Sequence, residues 1–191
     1  MGTITVRLLS ESERGAVREA LFREGAAACE QNPKAAAYLA EHYGERGFPL
    51  RAYGYLLQAA RRKLAVSSDA LTAYANEAKS LSDDEVRMDY EGALMVGKEL
   101  RQTNFRDAAY YLCNAANSVN DKYGVAALLA ADLLSSDLRF KAQSEKYYAL
   151  AAQKGNPDLP PFGHDNASGF SRAGDVRARS GEDAFFAAGI F

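Results

Sequence analysis

Ala52-Tyr53-Gly54-Tyr55-Leu56-Leu57-Gln58-Ala59-Ala60 carries an aromatic ring four residues ahead of an alanine pair, and the same figure returns twice. Ala108-Ala109-Tyr110-Tyr111-Leu112-Cys113-Asn114-Ala115-Ala116 and Ser144-Glu145-Lys146-Tyr147-Tyr148-Ala149-Leu150-Ala151-Ala152 align with it. On an α-helix positions four apart share a face, so ring and alanine point the same way while the small pair lets a neighbouring helix come close. The alanine pairs stand 56 and then 36 residues apart. The second interval is the length of a helix-pair repeat, and the first holds an insertion with Ala70, Leu71, Tyr74 and Ala78 at helical spacing.

Outward from these segments the chain punctuates itself as helices. Ser10-Glu11-Ser12-Glu13 and Ser82-Asp83-Asp84-Glu85 fit the capping box, in which the serine hydroxyl and the glutamate carboxylate satisfy free backbone N–H groups. Asn104, Asn120 with Asp121, and Ser136 with Asp137 are further N-cap candidates. Asn32-Pro33, Gly47-Phe48-Pro49 and Gly155-Asn156-Pro157 interrupt the pattern. The expected helices are therefore 11–31, 34–46, 50–63, 68–80, 83–101, 105–118, 122–135 and 138–154. Alanine, the strongest helix former, supplies about a fifth of the residues. The one strand-like alternation, Ile4 to Leu9, is too short for a sheet and reads as an extended arm.

Ala35, Leu39, Tyr43 and Gly47, followed by Ala52, Tyr55, Ala59 and Ala60, resemble the SEL-1-like repeat family, a branch of the tetratricopeptide-like helical solenoids. Ala40 stands where that family has glycine. Ala27-Ala28 before Asn32-Pro33 looks like the tail of a preceding repeat, and Ala151-Ala152-Gln153-Lys154-Gly155-Asn156-Pro157 like the end of a final one. In the middle repeat Tyr90, Leu94, Met95 and Lys98 replace the family's small residue, leucine, glycine and tyrosine. The resemblance implies a curved stack with a concave face that binds proteins, as adaptor, regulator or inhibitor. The residues alone imply stacked helix pairs, because one amphipathic pair cannot bury its apolar face without neighbours; with the resemblance, the expected fold is an all-α, right-handed antiparallel helix-pair solenoid over about 11–155.

Composition narrows the function classes. The 191 residues suit one folding unit, and 48% apolar with 25% charged is ordinary for a soluble globular chain. Lys+Arg 23 against Asp+Glu 25 supplies no net field for nucleic acid or anionic lipid, and no apolar run is long enough for a membrane span. Without a basic segment ahead of a long apolar core, the chain reads as cytoplasmic, or as periplasmic if a leader has been removed. Cys29 and Cys113 sit among alanines in helical patterns, where a free thiol acts as a small hydrophobe. With His42 and His164 they are too scattered for a zinc site.

Motifs that carry chemistry have plainer readings beside them. Gly92-Ala93-Leu94-Met95-Val96-Gly97-Lys98-Glu99 nearly spells a phosphate-binding loop, but Glu99 stands where the Mg²⁺-ligating hydroxyl belongs, inside a capped helix. Glu41-His42 lacks the second histidine of a metalloprotease helix. His164-Asp165 reads as a turn, Asp83-Asp84-Glu85 as an acidic first turn, and Arg61-Arg62-Lys63 as a helix end complementing the dipole. Asn166-Ala167-Ser168 matters only in a glycosylating secretory pathway. No metal, cofactor or catalytic constellation is expected.

The expectation is a non-catalytic module binding a protein or peptide through the concave repeat surface. An immunity protein neutralising a bacterial effector or toxin, an oligomeric structural component and an enzyme with an unrecognised site are the alternatives. With Tyr 11, Phe 9 and no tryptophan, Tyr38, His42, Tyr53, Tyr74, Tyr90 and Tyr110 are the candidate partner contacts. The helical domain is placed at 1–157. Residues 158–191, rich in turn formers yet carrying Phe162, Phe170, Phe185, Phe186, Ile190 and Phe191, form a tail expected to pack on the solenoid.

Overall fold

A computed structural model describes residues 7–159. The start of the arm, His164-Asp165, Asn166 and the six apolar tail residues lie outside the described residues. Contacts divide the chain into units 1–156 and 157–191. Among the described residues every regular element is helical: α1 (Glu11–Glu24), α2 (Ala28–Gln31), α3 (Pro33–Glu45), α4 (Pro49–Arg61), α5 (Ser68–Lys79), α6 (Asp83–Met88), α7 (Tyr90–Leu100), α8 (Phe105–Ala116), α9 (Val125–Ser135) and α10 (Lys141–Gln153), with 3₁₀ turns at Gly25–Ala27 and Leu138–Phe140.

Local capping explains the starts. At Ser10 and Ser82 both halves of the capping box form, with Glu13 Oε2 and Glu85 Oε2 each accepting the serine backbone N–H at 2.8 Å. Asn104 Oδ1 accepts from Asp107 N at 3.1 Å. Expected boundaries fail where tertiary contacts decide. The helix anticipated over 11–31 breaks at Gly25, whose φ of 59° is unsuited to a helix interior. The helix anticipated over 83–101 breaks at Asp89, which leaves helical geometry (φ −91°, ψ 62°) to cap Gly92 N at 3.3 Å and to accept Arg51 Nε at 2.8 Å. The segment anticipated from 122 starts at Val125, after a left-handed Gly124 where a Cβ would stand 2.8 Å from Ala151 Cα. The segment anticipated from 138 opens as a 3₁₀ turn capped by Asp137.

Packing runs along the chain, with α1 on α3, α3 on α4, α7 on α8, α8 on α9 and α9 on α10. The core is alanine-rich: Ala35, Ala36, Ala37, Ala40, Ala59, Ala115, Ala126, Ala127, Ala130, Ala131 and Ala151 are fully buried, so helix axes approach closely. In the aligned segments Ala59, Ala115 and Ala151 are buried together with Tyr111 and Tyr147, while Tyr55 is half-buried. The glycines of the phosphate-loop look-alike serve the same purpose. A Cβ at Gly92 would stand 2.6 Å from Leu50 Cβ, and one at Gly97 2.6 Å from Leu112 Cγ.

The most extensive packing between elements distant in the chain is that of α4 and α7. Helix α4 packs on α7, with Arg51 paired to Asp89 at 2.8 Å near their starts and Arg61 to Glu99 at 2.7 Å near their ends. Their contacts therefore run in the same sense, and the chain must travel back from the end of α4 to the start of α7. The insertion supplies that return through α5 and α6. Its Tyr74 is buried where a Cβ on Gly44 would meet the Tyr74 hydroxyl oxygen at 2.6 Å.

Candidate functional site

The loop between α8 and α9 is built on one buried carboxylate. Asp121 Oδ1 accepts from Ala126 N (3.1 Å) and from the Tyr90 hydroxyl (3.3 Å), and Oδ2 from Ala127 N (3.3 Å) and Lys154 Nζ (3.3 Å). Lys154 also donates to Ala116 O at 2.6 Å, and Asn156 Nδ2 donates to Tyr123 O at 2.8 Å. These bonds tie the end of α8, the starts of α7 and α9 and the end of α10 into one frame. The frame fixes a loop whose apolar side chains point to solvent.

Those side chains belong to a larger set. Val119 is 90% and Tyr123 70% exposed in this loop, and Val125, the first residue of α9, 37%; Met88, the last residue of α6, is 72% and Phe48, just ahead of α4, 44% exposed. Neighbouring contacts bring the segments that carry them to the same end: the Arg51 guanidinium lies 5.5 Å from the Phe48 ring centroid and pairs with Asp89, next in sequence to Met88, and Tyr90 reaches Asp121. Five of the seven exposed large apolar residues among the described residues thus belong to one end of the helices. Exposed apolar residues gathered at one end of the helices mark a candidate protein contact surface.

The six residues singled out from sequence are placed differently. Tyr53 and Tyr74 are buried in the core, so neither ring offers a surface; aromatic content does not say which face of a helix a ring occupies. Tyr38 and His42 are half-buried neighbours on α3, stacked at 6.3 Å between centroids. His42 meets Tyr43 edge-on at 5.6 Å, and Tyr43 stacks on Tyr55 at 5.6 Å. Burial, and then the Arg46 charge, holds the His42 imidazole below its ordinary pKa against the opposing Glu45. Tyr90 and Tyr110 are half-buried with their hydroxyls given to Asp121 and to Asp83 (2.7 Å). Burial, then the Asp121 charge, pushes the Tyr90 phenol up to about 12. Sequence reasoning missed Phe48, Met88, Val119, Tyr123 and Val125. The available signal was an apolar residue in a turn or at a helix end, Phe48, Val119 and Tyr123 in turns and Met88 and Val125 at helix ends, where core periodicity has least claim.

At the opposite ends of α4, α7 and α9 a polar cleft of about 440 Å³ is lined by Arg61, Lys98, Glu99, Arg101 and Asp132, among others. Glu99 is held by Arg61, and Asp132 accepts the Tyr148 hydroxyl at 2.8 Å. Three helix C-termini meet there, and cations at such ends complement the helix dipoles. No group of His, Cys, Asp and Glu able to hold a metal occurs among the described residues. Cys29 and Cys113 are free, and burial pushes both thiols up to about 11, far from the thiolate a nucleophile needs. No helix among the described residues is long and apolar enough to cross a membrane. No family model, curated protein or solved structure matches the chain.

Proposed function

We propose that the chain is a non-catalytic protein-binding module, an antiparallel helix-pair repeat solenoid similar to the SEL-1-like family, acting as adaptor or regulator. The pairing is supported by contacts that run in opposite senses along successive helices. Tyr90 at the start of α7 meets Asp121 beyond the end of α8, and Ser144 early in α10 donates to Ala131 O late in α9 at 2.9 Å. The partner, a protein or peptide, is taken on the concave repeat surface with the apolar edge as its anchor.

The observation that carries this reading is the gathering of Phe48, Met88, Val119, Tyr123 and Val125 at one end. Exposed aromatic and methionine side chains on a rigid frame lose little conformational freedom on docking and bury much area, the usual anatomy of a contact hot spot. The test is affinity capture from the native cell with the natural chain and with a Met88→Glu/Val119→Glu/Tyr123→Glu variant of unchanged helicity. A stoichiometric partner held by the first and lost by the second supports the reading. Equal recovery by both, or turnover in a hydrolase and transferase screen, defeats it.

A further inference from the structure

Among the longer helices α1 is thinly anchored. Of its fourteen residues only Val17 is buried, whereas α8 buries seven of twelve, and Phe22 of α1 is 91% exposed. It packs on α3 and on the short 3₁₀ turn and α2 that follow it. Leu8, Leu9, Val17 and Leu21 complete an apolar cluster with Ala35, Ala36, Ala37, Tyr38 and Leu39 of α3.

What holds this segment is polar and concentrated. Glu41 is buried on α3, and its carboxylate accepts from the backbone N–H groups of Leu8 and Leu9 (3.1 Å for Leu9) and from Arg14 Nη2 at 2.5 Å. All its hydrogen bonds among the described residues come from the segment that includes α1, so they break together. Arg14 Nε is buried without a hydrogen-bond partner, which leaves the latch incompletely satisfied. The Glu13–Lys34 pair at 2.8 Å joins partly exposed groups and is the secondary tie. Gly25, at φ 59°, marks the hinge.

We propose that residues 7–24 are a strap that opens as a unit, and that the seat it leaves on α3 accepts an amphipathic helix of another protein. That helix carries an arginine followed by apolar residues three and seven positions later, matching Arg14, Val17 and Leu21. The chemistry of the seat dictates the occupant. An emptied seat presents the Glu41 carboxylate, stripped of its guanidinium and both backbone donors, beside an apolar patch. A helix bringing both a guanidinium and apolar side chains satisfies the two requirements together, so partner and strap compete. This goes beyond the binding reading above and stands without it.

Amide exchange on the full chain is the first test: amides of 11–24 should exchange at least roughly tenfold faster than those of 105–116, as a locally opening unit does. A labelled peptide spanning residues 7–24 is then titrated into the natural chain, Arg14→Ala and Arg14→Ala/Glu41→Gln. Weakening the strap's own latch raises the open fraction, so Arg14→Ala should bind the peptide roughly tenfold tighter than the natural chain. The double variant, which lacks the carboxylate, should lose that gain. Protection of 11–24 equal to that of 105–116 overturns the proposal. So does equal peptide binding by the natural chain and Arg14→Ala, a double variant that binds as well as Arg14→Ala, or loss of protection at 105–116 in Arg14→Ala, which would make the strap part of the global unit.

Discussion

Replacing Asp121 with alanine removes, in one step, the acceptor for two backbone N–H groups at the start of α9, the partner of the Tyr90 hydroxyl and the counter-ion of Lys154. Breaking a buried ion pair by deleting one member costs about 3–5 kcal/mol, because the survivor stays desolvated and unpaired. Two features pull the figure to the low end. The four contacts are 3.1–3.3 Å long, and the Lys154 side chain is 20% exposed and keeps the Ala116 carbonyl. The expected loss is about 3 kcal/mol, or about 6–12 °C in melting temperature for a chain of this size. Urea unfolding followed by circular dichroism measures it, the midpoint falling with the slope unchanged. The paired control is Lys154→Met. If the two groups act as one unit, Lys154→Met costs much less in the Asp121→Ala background than alone. A loss below about 1 kcal/mol, or full additivity of the two changes, would refute the description of this frame.

Gly92→Ala places a Cβ 2.6 Å from Leu50 Cβ, so the crossing of α4 and α7 must shift; a loss of about 1–3 kcal/mol is expected in thermal unfolding. Glu13 is held at about 2, chiefly by the Lys34 hydrogen bond and then by Ser10, below the ordinary 4.5. Because its folded value is depressed, its contribution is whole above about 4.5 and fades as pH falls toward 2; Glu13→Gln should flatten that limb of the stability profile. Iodoacetamide at neutral pH should leave Cys29 and Cys113 essentially unmodified in the folded chain and label both in denaturant, as mass spectrometry would read.

What was legible in the sequence is what short-range chemistry decides. Ser10 with Glu13 and Ser82 with Glu85 lie three residues apart, so their capping boxes need no knowledge of the rest of the chain, and both form. The break at Asp89 was not legible, because Arg51, which holds that carboxylate, is 38 residues away. Tyr74 illustrates the same limit: helical spacing locates it on α5, but only the close approach of Gly44 makes its place interior. The exposed edge was missed for a related reason. Val119 and Tyr123 stand outside any helix, so no periodicity assigns them to a face, and their orientation follows from the Asp121 frame.

The same-sense seam between α4 and α7 also bears on the order of folding. Partners across α9 and α10 lie 13 residues apart, whereas those across the seam lie 38 apart. Closing the larger loop costs more chain entropy before any contact rewards it. The blocks on either side, 33–61 and 90–153, are expected to condense from local contacts first, with their docking as the later step. Lengthening the turn at 62–67 or at 80–82 should then slow refolding while leaving the unfolding rate nearly unchanged, the kinetic signature of an assembly limited by the search of two preformed blocks for each other.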